Sequence, residues 1–244
     1  LESGKSSDRI RIAIFSDVHG NLAGLREVAA ALDREQPLDH VVVAGDHLQG
    51  GPRPIEVWDL LNAKGWVLVR GNEDEALCAE DPLGDHWTSP YRGAFYAGVM
   101  WTRARVGPEV LDALIRLPDR WRVTTPAGDL LVVHASPRSI HDRAGGAHNT
   151  LDEIIPAYGG TGASAIAFGH YHHSFVRPTP IGLLINVASV GLPRDLRAVA
   201  CYTVVTATAE GWIVEQRQVP YNPVEESDAA AAQGMPLWIP DPAC

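Results

Sequence analysis

Short apolar runs punctuate this chain, and in its first third helical patterns fill the gaps between them. Residues 10–15 (Ile-Arg-Ile-Ala-Ile-Phe) read as a buried strand. Asn21 stands where a helix cap is needed. Leu22, Leu25, Val28 or Ala29, and Leu32 then recur at helical spacing, and Pro37 marks the stop. Residues 41–44 form a second strand, followed by a loop holding Gly50, Gly51, Pro52 and Pro54. Ile55, Trp58 and Leu61 mark a second helix, and residues 66–69 a third strand. Strand and helix in strict alternation imply right-handed crossovers and a parallel core, hence an α/β fold.

The pattern changes over residues 75–120. No strand stands out there, and the stretch reads as mainly helical over 92–105 and 109–117. Residues 130–133 return to strand. Residues 137–150, rich in Gly, His, Arg and Asp, read as a long surface loop. Further strands are expected at 165–168 and 183–185, then a hairpin of 201–206 and 212–219 around Glu210-Gly211, with β-branched enrichment. The alanines at 229–232 suggest a short helix. No internal repeat or linker appears, so one domain over residues 9–237 is expected. Residues 1–8 read as a cloning remnant or frayed terminus, and residues 238–244 as an extended tail.

Composition narrows the function. A chain of 244 residues with 45% hydrophobic content can bury a sizeable core. No apolar run approaches the roughly 18–20 residues that span a bilayer, so no membrane role is expected. The formal net charge of −10 disfavours a broad nucleic-acid-binding surface. Cys78, Cys201 and Cys244 are odd in number, far apart and form no Cys-x-x-Cys pair, which reads as reduced thiols in a cytoplasmic protein.

The candidate chemistry sits at the strand ends. Asp17 and His19 follow the first apolar run, Asp46 the second, Asn72 the third, and His134, His170 and His172 follow later ones. Ligand sites of open α/β sheets gather outside the carboxyl ends of strands, so these positions can converge. Carboxylate, imidazole and amide oxygen without thiolate suit manganese, iron, zinc or nickel better than calcium. Seven donors exceed the needs of one ion. Two divalent ions roughly 3.5–4 Å apart could clamp a phosphoryl group.

Ser16-Asp17-Val18-His19-Gly20-Asn21, Gly45-Asp46, Gly71-Asn72, His134 and Gly169-His170-Tyr171-His172 resemble, in order and approximate spacing, the motifs of the calcineurin-like metallophosphoesterase superfamily. Gly51-Pro52, residues 134–138 (His-Ala-Ser-Pro-Arg) and residues 186–195 resemble its compact bacterial branch. The resemblance covers roughly residues 9–237. It implies a four-layer αββα sandwich with two mixed β-sheets and a metal site at one rim. It also implies that the first ion takes Asp17, His19 and His172, the second takes Asn72, His134 and His170, and Asp46 bridges them. The implied activity is phosphoester hydrolysis by a hydroxide held between the ions.

One position departs from the family pattern. Where relatives carry His after the Asn of the third motif, this chain has Glu73, in Gly71-Asn72-Glu73-Asp74. A glutamate is anionic at its reference pKa and repels phosphate. It can act as an acid only if burial or a neighbouring carboxylate such as Asp74 raises its pKa, and bound ions oppose that. His47 is then a candidate proton donor, unless the leaving group departs without strong acid help. Arg138 and Arg194 are candidate phosphate contacts, each equally suited to a structural ion pair. His173 reads as a supporting or surface residue, and His86, His141 and His148 as loop residues beside a substrate path. The aromatics Trp87, Tyr91, Phe95, Tyr96 and Trp101 read as core-facing, with stacking on a base as the other reading.

The expected substrate is a small phosphorylated molecule, with a phosphodiester of nucleotide type as the leading reading. Phosphomonoesters, phosphoproteins and dinucleoside polyphosphates are the other enzymatic readings. A non-catalytic scaffold on the same fold is the reading from a different class.

Overall fold

The computed structural model describes residues 9–84, 91–194 and 197–236. His86, Trp87, Asp195, Cys244, the leading residues 1–8 and the expected tail lie outside them. β1 (Arg9–Phe15) runs through the middle of the first sheet, and every residue from Ile12 to Phe15 is fully buried. Its period-two alternation serves two cores. Ile12 and Ile14 face the second sheet, while Ala13 and Phe15 face helices.

The first sheet has the order β10-β9-β1-β2-β3. β2 (His40–Val43) and β3 (Val67–Leu68) are parallel to β1, as the strand–helix alternation predicts. β9 (Val199–Thr208) and β10 (Gly211–Pro220) form the expected late hairpin, and β9 closes antiparallel on β1. α1 (Leu22–Arg34) starts on the Asn21 cap, whose side chain accepts from the Gly24 N–H at 2.8 Å. α2 (Pro54–Lys64) starts on Pro54 and ends at Gly65 in the left-handed conformation, φ 63°. α3 (Asn72–Cys78) follows β3. α4 (Arg92–Ile115) breaks at Gly107, φ 74° and ψ 171°, which gives the two helical stretches that the sequence pattern separates.

The second sheet has the order β4-β5-β6-β8-β7. β5 (Gly128–Val133), β6 (Ala165–Phe168) and β8 (Gly182–Val187) are parallel, and β4 (Arg120–Thr125) and β7 (Ser174–Thr179) flank them antiparallel. α5 (Leu151–Tyr158) covers its outer face with Ile154, Ala157 and Tyr158, packed on Leu131, Val133, Ile166 and Phe168. α6 (Pro223–Ala232) carries the alanine run and is capped by Asn222.

The layers are therefore helices, sheet, sheet, helix, an αββα sandwich with two mixed five-stranded sheets. The seam between the sheets is mainly apolar, built from Ile12, Ile14, Val42, Val69, Leu130, Val132, Ile185 and Val205 among others, with the buried Thr203 paired opposite Ile14. Of the aromatics over 91–101, Phe95 is buried in the helix-side core, while Tyr91 and Tyr96 are 41% and 43% exposed. Trp101 lies under the Arg105 guanidinium of its own helix, 3.5 Å from the ring centre. Among the described residues no helix is long and apolar enough to cross a membrane.

Candidate metal centre

The parallel strands deliver their carboxyl ends to one rim. Asp17 follows β1, Asp46 follows β2, Asn72 opens α3 after β3, His134 follows β5, and His170 and His172 follow β6. The connecting loops are short, so the backbone must turn sharply where the side chains are presented. Asp17, His19, Asp46, His170 and His172 all take φ between 50° and 67°. Asp and His enter this left-handed region more readily than most residues, but each such residue still costs on the order of 1–3 kcal/mol.

Bonds between loops offset that cost. Asp17 N–H donates to Gly45 O at 2.9 Å and His19 N–H to Asp46 O at 3.0 Å. Gly169 N–H donates to His134 O at 2.9 Å, and Gly191 N–H to Asp17 O at 2.9 Å. Two glycines permit the close approach. A β-carbon on Gly71 would overlap the Asp46 carboxylate, and one on Gly169 would overlap the Asp17 carboxylate and Ser16 Oγ.

Residues outside the five motif positions hold the loops in place. Asp74 is fully buried and its carboxylate accepts from the N–H groups of Asp46 (3.0 Å), His47 (3.0 Å) and Gly71 (2.8 Å), and from His47 Nδ1 (2.8 Å). Burial alone would raise its pKa, but His47 and these N–H groups hold it at about 2. Ser16 Oγ donates to Ala44 O at 2.8 Å and Ser189 Oγ to Asp17 O at 2.8 Å. Asn186 Nδ2 donates to Gly169 O at 2.7 Å. The sequence resemblance that begins at residue 186 thus includes two side chains, Asn186 and Ser189, that hold the loops of the first and last motifs. Asp74 was read from the sequence only as a charge beside Glu73. Its place after Gly71, at the third position of α3, was the available signal for a helix-start carboxylate.

The seven motif residues converge although Asp17 and His172 are 155 positions apart. His172 Nε2 lies 3.1 Å from Asp17 Oδ1 and 3.2 Å from His19 Nε2. His134 Nε2 lies 2.7 Å from Asn72 Oδ1, 3.2 Å from His170 Nδ1 and 3.3 Å from Asp46 Oδ2. All seven are less than a tenth exposed.

These residues fit a cation. Three imidazoles place Nδ1 at a backbone carbonyl: His19 at Gln49 O (2.8 Å), His134 at Ala44 O (2.7 Å) and His172 at Leu192 O (2.9 Å). A carbonyl can only accept, so Nδ1 carries the proton and Nε2 offers its lone pair inward. His19 and His172 then face each other lone pair to lone pair at 3.2 Å, which only a proton or a cation makes favourable. Asp17–His19–His172, Asp17–Asp46–His134 and His19–Asp46–Glu73 each present three ligand atoms within 4.8 Å of one another.

The electrostatics agree. Burial alone would lower the pKa of His19 and His134. The facing carboxylates, Glu73, Asp46 and Asp17 for His19 and Asp46 and Asp17 for His134, instead raise them to about 9 and about 10. Burial would raise Asp17, but the imidazoles of His172, His134 and His19 hold it well below the usual carboxylate range. His170, buried beside His134, is pushed well down. The cluster favours added positive charge, as a divalent-ion site requires.

The other sequence candidates are dispersed. His47 is fully buried with Nδ1 on Asp74. The exposed Arg138 spans Asp142 with two bonds of 2.8 Å. Arg194 donates its backbone N–H to His172 O at 3.2 Å. His141 Nε2 lies 2.6 Å from Glu75 Oε2. His148 and His173 line a surface cleft of about 520 Å³ together with Arg143, Tyr171 and Glu153.

A four-layer sandwich whose rim gathers Asp, His and Asn from five strand ends defines a metallophosphoesterase fold. Residues 10–210 match the calcineurin-like phosphoesterase superfamily domain, and the chain belongs to that superfamily, whose members depend on metal ions. A metallophosphoesterase from Sphaerobacter thermophilus is 26% identical and superposes with a TM-score of 0.69, covering 93% of this chain and 95% of its own. A hypothetical protein from Pyrococcus horikoshii OT3, 17% identical, shares the fold with a TM-score of 0.78 over 93% of this chain and 94% of its own. A putative diadenosine tetraphosphatase, 18% identical, shares it with a TM-score of 0.53 over 87% of this chain and 94% of its own. A search of curated proteins finds no match.

Proposed function

We propose that this protein is a dinuclear-metal phosphodiesterase acting on small substrates of nucleotide type. Asp17, His19 and His172 would hold one ion and Asn72, His134 and His170 the other, with Asp46 between them. Manganese is the first choice of ion, and iron, zinc and nickel also suit this oxygen and nitrogen donor set. Bound there, the ions would activate water and neutralise phosphoryl charge.

The observation that carries the diester reading is Glu73. It is 6% exposed and faces the centre beside His19 and Asp46, at the position where the family pattern has His. Three carboxylates, Asp17, Asp46 and Glu73, leave less net positive charge for a substrate than two would. A phosphodiester carries one negative charge and a monoester near neutral pH about two, so the diester is repelled less. Among the described residues, the candidate proton donor His47 is not free to replace the absent imidazole. His47 is committed to Asp74 and serves here to set the Asp46 loop. The proposal therefore favours leaving groups that depart without strong acid help. The putative diadenosine tetraphosphatase with this fold is, by its name, an enzyme of dinucleotides, and the same class of substrate is part of the present reading. A reducing, cytoplasmic setting is supported by the free thiols of Cys78 and Cys201.

The test is a substrate panel on manganese-reconstituted protein: an aryl phosphodiester, an aryl phosphomonoester, and cyclic and bridged nucleotides. We expect kcat/KM for the diester to exceed that for the monoester, and Glu73→His to shift the ratio toward the monoester. No turnover of any substrate across a wide pH range refutes the enzyme reading and favours the scaffold. An unchanged ratio in Glu73→His removes Glu73 as the source of the preference.

A further inference from the structure

The seven motif residues leave one acidic side chain in the centre unassigned. Glu73 starts the second position of α3, and its backbone N–H donates to Asp46 Oδ1 at 2.8 Å. That bond draws the Glu73 side chain toward the bridging carboxylate, so two buried acids lie side by side. Its Oε2 is buried and accepts no hydrogen bond. A buried carboxylate oxygen left without a donor is costly, and buried charges are normally paired or coordinate a metal.

The neighbouring imidazole does not satisfy it. His19 Nδ1 lies 3.5 Å from Glu73 Oε2, but the single proton on that nitrogen points to Gln49 O, 2.8 Å away. Glu73 is therefore not needed to orient His19, because the backbone carbonyl already does so. No Lys or Arg forms an ion pair with Glu73 among the described residues; its ion-pair partner is His19. What Glu73 does share is a cluster: His19, Asp46 and Glu73 each place a ligand atom within 4.8 Å of the other two.

We propose that Glu73 is an eighth protein ligand, whose carboxylate coordinates the ion held on the His19–Asp46 side of the centre. This rests on the two-ion reading above and deepens it. The third motif of this chain would supply two ligands in sequence, Asn72 to one ion and Glu73 to the other. Adjacent residues at a helix start point in different directions, which suits ligation of two different ions. A carboxylate ligand in place of a neutral side chain strengthens the grip on a hard divalent ion and reduces the charge that ion presents to substrate. Glu73 thus links ion retention to the preference for singly charged esters.

The experiment is a titration of metal-stripped protein with manganese, read by calorimetry and by bound-metal analysis, on wild type, Glu73→Gln and Glu73→Asp. Wild type is expected to take two ions per chain. Glu73→Gln, which keeps shape and loses charge, is expected to bind one ion roughly tenfold or more weakly while the other stays within about twofold. Glu73→Asp, which keeps charge and shortens the reach, is expected to weaken the same ion. The visible spectrum of the cobalt-loaded variants should also change, since a lost ligand alters coordination and a remote structural effect does not. Two ions bound by both variants as in wild type, with superimposable cobalt spectra, overturn the assignment of Glu73 and leave the two-ion reading standing. Fewer than one ion in wild type overturns both. Thermal unfolding of the metal-stripped proteins separates folding from ligation. Glu73→Gln should unfold no earlier than wild type, because the substitution keeps the shape of a buried side chain whose Oε2 accepts no hydrogen bond. A clearly lower melting point there would instead identify Glu73 as a structural residue.

Discussion

The seam between the two sheets and the rim at their carboxyl ends are built on opposite terms. In the seam, regular strands present Ile14, Val42, Leu130, Val132 and Ile185 to one another with no polar side chain among them. At the rim, five left-handed residues, facing lone pairs and clustered carboxylates occupy an equally buried space. The seam draws its stability chiefly from apolar burial. The rim is held together by side chains and carbonyls that carry no metal-binding chemistry, with Asp74 at their centre. The same fold therefore stores stability in one layer and uses some of it to impose geometry at the edge.

Substitutions can separate the two regions. The largest effect is expected from Asp74→Ala, which strips three backbone N–H groups and His47 of their acceptor. It should destabilise by roughly 3–5 kcal/mol, on the order of 10 °C in melting temperature, and weaken metal binding as well because Asp46 loses its anchor. Ile14→Ala, in the seam, should cost about 2–5 kcal/mol by leaving a cavity, yet leave the metal affinity of the folded fraction unchanged. If Ile14→Ala alters that affinity as much as Asp74→Ala does, the division between seam and rim fails.

A smaller effect is expected at the 137–150 loop. Asp142 accepts from Arg138, from Ser136 Oγ at 2.7 Å and from Ala144 N–H at 3.1 Å. Burial alone would raise its pKa, but these donors hold it below its ordinary 3.8. A lowered folded-state pKa means that this stabilisation is complete above the unfolded value and is lost as pH falls through the folded one. Asp142→Asn should thus cost about 1–2 kcal/mol at neutral pH and little in strong acid, read as the difference between the two proteins' unfolding curves across pH. The smallest effect is expected from Ser189→Ala. It removes a single donor from Asp17 O and should cost about 1 kcal/mol.

The seam and its helices were legible from periodicity, because β1, β2, β6 and α1 are apolar at the positions their geometry buries. What periodicity missed has physical causes. β4 and β7 are edge strands that carry Arg120, Arg122, Arg177 and Pro178, which dilute the apolar signal. α3 spans only seven residues, and α5 carries an internal Pro156. The pairing of strands into two sheets was not readable from the pattern and came only with the resemblance. At the rim, ligand types in order marked the candidate ions' side chains. The orienting carbonyls of Ala44, Gln49 and Leu192 had no sequence signal, since every residue has a carbonyl. The commitments of Arg138 to Asp142 and of His47 to Asp74 needed coordinates for the same reason: their partners are ordinary acids, one in the same loop and one in the first turn of α3.

Occupancy of the rim by two divalent ions decides whether Asp17, Asp46 and their neighbours form a metal centre. The most direct measurement is the amount of manganese retained per chain after saturation and removal of free metal. Two ions per chain are expected, falling to one or fewer when Asp46, the proposed shared carboxylate, is replaced by Ala. Fewer than one ion per chain in the unaltered protein would contradict the two-ion centre.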